Sequence, residues 1–152
     1  MDFFDDFKDF VSLLNDYHVD YMIVGGYALA MHGQPRYTGD LDIWIDVSEH
    51  NAALMVNVIH DFGMGSLGLV EEDFLRPGYI TQIGNPPLRI DILNDIDGIT
   101  FSEAKENRQV IEVEDLKIFY IGVFDFIKNK EANGRPQDLI DIVEIKKKNK
   151  IK

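Results

Sequence analysis

With 152 residues, of which 45 % are hydrophobic and 28 % charged, the chain is sized for one domain over 1–152 with a core of its own. No apolar run approaches the ~20 residues that span a bilayer, which excludes a transmembrane protein, and the lack of cysteine excludes disulfide scaffolds and thiolate chemistry. Fifteen Lys/Arg against 27 Asp/Glu leave a net charge of −12, the wrong sign for a surface that grips phosphate backbones throughout.

The first turns are acidic: Asp2, Asp5 and Asp6 suit a helix N-terminus, and Phe3, Phe4, Phe7, Phe10, Val11 and Leu14 recur at helical spacing. This start lacks the basic region of a secretory signal, which with the missing cysteines predicts a cytoplasmic location. Tyr21-Met22-Ile23-Val24 reads as a buried strand running into Gly25-Gly26. Tyr27 to His32 follows as a short helix closed by Gly33 and Pro35. Asp40 to Val47 alternates, with Asp40, Asp42, Trp44 and Asp46 on one face and Leu41, Ile43, Ile45 and Val47 on the other, the pattern of a half-buried strand. Ser48 is a good N-cap for a helix whose apolar stripe is Ala52, Met55, Val56, Ile59 and Phe62. Residues 63–77 read as a mobile loop with room for a helical turn.

Two strands, Tyr79 to Ile83 and Leu88 to Leu93, flank a turn containing Asn85-Pro86-Pro87. A short helix from Phe101 to Asn107 precedes small strands at Val110 to Val113 and Ile118 to Tyr120. Two final helices run near Val123 to Ala132 and Pro136 to Lys148, broken at Asn133-Gly134. Interleaved helices and strands predict an α/β (α+β) domain, a mixed sheet flanked by helices with two helices at the C-terminus. Lys146, Lys147, Lys148, Lys150 and Lys152 form a basic tail, read as the solvated end of the last helix or as a weak RNA or partner contact.

The chemistry concentrates in three places. Carboxylates at i and i+2 on a strand share a face, so Asp40 and Asp42 can converge on one ion, and hard cations such as Mg²⁺ take such oxygen ligands. Asp91 shares its strand face with Arg89. If this strand lies beside the first, three carboxylates meet, enough for the two-metal arrangement of phosphoryl transfer. Gly25-Gly26 at a strand end lets backbone N–H groups approach a phosphate at a helix start. Each feature alone has a plainer reading, a tight turn for the glycines and a solvated face for Asp-x-Asp. Their combination, with 14 residues from Gly26 to Asp40, is far more specific.

This pattern resembles the nucleotidyltransferase superfamily typified by DNA polymerase β, in particular small stand-alone members linked to abortive-infection-type toxin–antitoxin pairs. The residues that carry the likeness are Val24-Gly25-Gly26-Tyr27-Ala28-Leu29, His32-Gly33, Arg36-Tyr37-Thr38-Gly39-Asp40-Leu41-Asp42 and Ile90-Asp91-Ile92. The stretch from Lys130 to Asp141 is similar to the Lys…Gly-Arg-Pro-x-Asp-x-x-Asp block that often ends such proteins. The resemblance implies a single nucleotidyltransferase-like domain that moves a nucleoside monophosphate from an NTP such as ATP to an acceptor hydroxyl and releases pyrophosphate. It makes Asp40 and Asp42 ligands of catalytic Mg²⁺ (or Mn²⁺), with Asp91 as third ligand and activator of the attacking hydroxyl. Gly25 and Gly26 become the triphosphate turn, Arg36 and Thr38 lean over the nucleotide, and Lys130 and Arg135 face phosphates or base. Asp138 and Asp141 would hold Lys130 or Arg135 or touch substrate. Many relatives carry Gly-Ser in place of Gly25-Gly26, so a hydroxyl is missing here while the backbone donors remain.

Other residues keep two readings. His32 is a helix end or a supporting catalytic group, and Trp44 stacks on a base or covers the sheet. Asp95 and Asp97 read as a turn, yet compete with Asp91 as third carboxylate. The acceptor is open among a tRNA end, a protein side chain and a small hydroxylated molecule, and the family likeness adds an antitoxin-like partner protein. Two rivals remain: a non-catalytic module that binds a nucleotide or a protein on the same fold, and a metal-dependent phosphohydrolase using the same carboxylates.

Overall fold

A computed structural model describes residues 3–34, 39–85 and 87–152. In chain order they form α1 (Asp5–Asp16), β1 (Tyr21–Val24), α2 (Gly25–Met31), β2 (Asp40–Ile45) and α3 (Glu49–Ile59). There follow α4 (Glu71–Leu75), β3 (Ile80–Asn85), β4 (Leu88–Leu93), α5 (Phe101–Lys105), β5 (Gln109–Val113), β6 (Leu116–Tyr120), α6 (Val123–Asn133) and α7 (Pro136–Lys148). The strands make one sheet in the order β3-β4-β2-β1-β6-β5. β2 runs parallel to β4 and antiparallel to β1, β1 runs parallel to β6, and the outer pairs are antiparallel hairpins. The predicted mixed sheet flanked by helices is what forms. No described helix is long and apolar enough to cross a membrane.

Local chemistry explains most boundaries. α1 carries Asp5 and Asp6 in its first turn and buries Phe7, Phe10, Val11 and Leu14, each worth about 1.5–3 kcal/mol when taken from water. Phe3 and Phe7 meet Tyr27 of α2 edge-on, and Phe10 meets Phe62. These ring pairs lock α1 against α2 and the turn that follows α3. Ser48 caps α3 by accepting the Asn51 N–H at 3.0 Å, as its position requires. The β5–β6 turn holds Glu114 and Asp115 at φ 51° and 68°, the left-handed pair whose twist suits a two-residue hairpin. Gly134 ends α6 at φ +65° and Pro136 opens α7, helix punctuation legible from the residues.

Four expectations need correction. α2 begins at Gly25 itself, so the glycines are its first turn. The buried stripe of α3 uses Val58 rather than Val56. The stretch expected as a loop over 63–77 does hold its helical turn, as α4, but two irregular helical turns, His60–Met64 and Gly65–Leu67, precede it in place of open loop. Phe74 of α4 is buried in the core and anchors this stretch. Lastly, β2 is polar only at its start: it lies between β1 and β4, and Trp44 is 2 % exposed with its ring edge-on to Phe101 of α5 at 5.1 Å. An interior strand covered on both faces loses the polar alternation a half-buried one would keep.

Candidate active site

The site is set by strand register. Asp42 lies opposite Asp91 on β4 and opposite Val24 on β1, while Asp40 lies opposite Arg89. Two adjacent strands thus bring Asp40, Asp42 and Asp91 together, and the third carboxylate of the cluster is Asp91. Because Val24 faces Asp42, the next residue, Gly25, starts α2 directly against the Asp42 carboxylate. Gly25 has φ +70°, and a Cβ there would lie 2.2 Å from Asp42 Oδ2. Backbone conformation and space both demand glycine at this position.

Asp42 is the strained member of the cluster. Burial, then the charges of Asp91 and Asp40, push its carboxyl up from 3.8 to about 7, against the opposing pull of Lys130 and Arg89. Like charges forced together out of water raise one another in this way. Arg89 supplies part of the missing positive charge. Its Nη2 donates to Asp40 Oδ2 at 2.9 Å, its Nε to Asp91 Oδ1 at 2.8 Å, and Nη2 again to Asp91 Oδ2 at 3.1 Å.

The second half of the site comes from α6 and α7. Asp138 is 1 % exposed and gathers both cations of the C-terminal block. Arg135 makes a two-pronged pair with it at 2.7 and 3.1 Å, and Lys130 Nζ lies 3.4 Å away. Asp138 also accepts the Arg135 backbone N–H at 3.2 Å, capping α7 from its third residue. Burial works to raise the Asp138 carboxyl, but the Arg135 hydrogen bonds and the Lys130 charge hold it below its ordinary value. Asp141 accepts from Gln137 at 2.9 Å, and its charge also acts on Arg135.

A cleft of about 500 Å³ has Gly25, Asp42, Asp95, Asp97, Lys130 and Arg135 among its walls, so Asp42 is the member of the carboxylate trio that meets the C-terminal cations there. A larger groove of about 700 Å³ beside α1 and β6, bordered by Asn15, Arg108 and Lys117, contains neither the carboxylate cluster nor the glycine turn. Chemistry rather than size selects the first.

Asp138→Asn removes the charge that steadies Lys130 and Arg135 at the cleft wall. If these two cations receive a polyanion there, KM for that ligand is expected to rise about tenfold with a smaller change in kcat. Steady-state kinetics on the folded variant checks this, and an unchanged KM would show that the pair does not face the ligand.

The remaining predicted residues fall elsewhere. Arg36 and Thr38 lie outside the described residues. His32 does not line the cleft; it is buried between the rings of Tyr120 and Phe126, with Nε2 2.7 Å from the Ile121 carbonyl oxygen. Burial pushes its pKa down despite that hydrogen bond, and its position is that of a packing residue. Trp44, buried against Phe101, has no open face for a base. Asp95 and Asp97, the competing candidates for third carboxylate, line the cleft, and two further residues, Arg89 and Asn129, belong to the site without having been assigned to it from the sequence. Arg89 had a signal, two residues before Asp91 on the same strand face. Asn129 had none: it matters because its Nδ2 donates 2.8 Å to the Asp97 carbonyl, tying α6 to the loop after β4.

A mixed sheet carrying Asp-x-Asp on a central strand, a third carboxylate on the adjacent parallel strand and a glycine-led helix beside them defines a nucleotidyl-transfer type of fold. Solved structures agree. A candidate nucleotidyltransferase from Thermotoga maritima superposes with a TM-score of 0.63 at 14 % identity, covering 90 % of this chain and 88 % of its own. An antigenic nucleotidyltransferase-like protein from Paracoccidioides brasiliensis gives 0.55 at 13 %, covering 91 % and 72 %. ANT(2″)-Ia, bound to adenylyl-2″-tobramycin, gives 0.52 at 11 %, covering 91 % and 84 %. No protein-family model and no curated protein matches the chain. At such identities the likeness establishes the fold, a nucleotidyltransferase fold, and leaves the reaction to be argued from the site.

Proposed function

We propose that the protein is a metal-dependent nucleotidyltransferase that takes an NTP, transfers the nucleoside monophosphate to an acceptor hydroxyl and releases pyrophosphate. The observation that carries this reading is the register of β2 on β4, which sets Asp42 against Asp91 with Asp40 one step along. The donor set suits a hard divalent cation: it is all carboxylate oxygen, and the upward shift of Asp42 to about 7 marks a cluster short of positive charge. Asp40, Asp42 and Asp91 would hold Mg²⁺ or Mn²⁺, which when bound supplies charge neutralisation for the phosphates and the reacting oxygens.

The chain's own residues do the rest. Lys130 and Arg135, steadied by Asp138, would take the triphosphate at the cleft wall, and the first N–H groups of α2 at Gly25 and Gly26 would donate to it. Asp91 would accept the proton of the acceptor hydroxyl as its oxygen bonds to the α-phosphorus and the bond to the β-phosphate oxygen breaks. Such chemistry needs positioning and electrostatics, with little covalent work by the protein.

For the acceptor, a small hydroxylated amine or a protein side chain suits a chain of net charge −12 better than a long nucleic acid, though the Lys146–Lys152 tail leaves a tRNA end as an arm of the test. The adenylylated tobramycin in one similar structure is an example of the small acceptor. A toxin-type role in the cytoplasm with an antitoxin-like partner rests on the sequence resemblance alone. The test is incubation with each α-labelled NTP, Mg²⁺ or Mn²⁺, and RNA, protein and aminoglycoside pools. Labelled acceptor with pyrophosphate supports transfer. Free monophosphate or inorganic phosphate without labelled acceptor would mean a phosphohydrolase, and binding without turnover would mean a nucleotide-binding module.

A further inference from the structure

We propose that Arg89 is a built-in counter-cation of the carboxylate cluster, one that holds Asp40 and Asp91 in the metal-free protein and competes with a divalent cation for them. This deepens the reading above and rests on its carboxylate site. Arg89 stands opposite Asp40 and two residues before Asp91, so its side chain leaves β4 on the same face as both. Three hydrogen bonds follow, two to Asp91 at 2.8 and 3.1 Å and one to Asp40 at 2.9 Å. Asp42 feels Arg89 as a charge only.

The consequence is geometric. Among the described residues, no three acidic or histidine side chains converge on a point where an ion could sit. Two of the three candidates are turned onto the guanidinium. Arg89 engages both oxygens of Asp91 and Oδ2 of Asp40, so an ion that draws these carboxylates toward Asp42 competes with the guanidinium for them. A guanidinium stays charged at any working pH, so the exchange sets one cation against another and needs no proton. Lys130, the other cation felt by Asp42, is held by Asp138 on α7. A purely structural Arg89 predicts the reverse: without it the carboxylates would splay apart and metal binding would weaken.

The experiment is calorimetric titration of Mn²⁺ into the whole chain without nucleotide, for wild type, Arg89→Gln and Arg89→Lys, with thermal melts in EDTA and in Mn²⁺. Removing a full positive charge beside the site is expected to tighten Mn²⁺ binding by about tenfold or more in Arg89→Gln. That variant should melt lower than wild type in EDTA and gain more from Mn²⁺. Arg89→Lys, whose single ammonium cannot copy the fork, should fall between the two. Binding as weak as wild type, or weaker, in both variants overturns the proposal while leaving the metal site intact. Should Arg89→Gln fail to fold, Arg89→Lys decides alone by the same criterion. If neither wild type nor any folded variant binds Mn²⁺, the carboxylate site itself is refuted, and the proposal with it.

Discussion

Asp42→Asn is expected to reduce the proposed nucleotidyl transfer by about 10³-fold or more and, in the same protein, to raise the melting temperature in EDTA at neutral pH. The two effects share a cause. Asp42 is buried beside Asp40 and Asp91, and its carboxyl is raised from 3.8 to about 7, so the fold disfavours the very charge the chemistry requires. The sign follows from proton linkage. Between the unfolded and folded values the native state holds the extra proton, so stability is full below about pH 4 and is lost as pH climbs to about 7. Asparagine keeps the size and drops the charge. The advantage of the variant should therefore be absent near pH 4, open steadily to about pH 7 and stay constant beyond, with a ceiling of about 4 kcal/mol from a shift of roughly three pH units. Melts in EDTA at pH 4, 5.5, 7 and 8.5 read it directly. Parallel curves for the two proteins across that range would show that Asp42 carries no such strain.

Gly25→Ala should damage fold and site together. The left-handed backbone costs a residue with Cβ about 1–2 kcal/mol, and the new atom would fall 2.2 Å from Asp42 Oδ2, where overpacking adds about 1–3 kcal/mol. The carboxylate has little freedom to retreat, because Asp91 stands across from it on β4. Destabilisation of about 2–5 kcal/mol and loss of Mn²⁺ affinity are both expected, read by denaturant melts and by titration. A stable Gly25→Ala protein with wild-type Mn²⁺ affinity would mean that Asp42 moves aside without cost and that the contact is incidental.

Much of this was readable in the residues because it is local. Helix α1 declares itself through Asp5 and Asp6 ahead of an apolar stripe, α7 through Pro136 and its lysine-rich end, and the strands through alternation or short apolar runs. Where the residues left two readings open, distant packing decided. Trp44 kept two readings on its polar strand face, and packing with Phe101 from α5 decides for the one that covers the sheet. His32 ends α2, as the plainer of its two readings has it, and the catalytic alternative falls because its ring meets the Ile121 carbonyl, 89 residues away. Val56 and Val58 of α3 are both plausible on periodicity, and which one is buried depends on the tilt of the helix on the sheet.

Sequence alone determined which carboxylates exist, that Asp40 and Asp42 share a strand face, and that glycines stand where a strand meets a helix, since backbone periodicity and glycine's missing Cβ operate within a few residues. Tertiary structure decided that Asp91, not Asp95 or Asp97, joins them, because only the parallel register of β2 on β4 chooses the partner of Asp42. It also decided that Asp138 holds Lys130 and Arg135 beside the same cleft, and that Arg89 bridges Asp40 to Asp91. Pairings between segments some 50 residues apart depend on which strands lie side by side, and no local pattern encodes that.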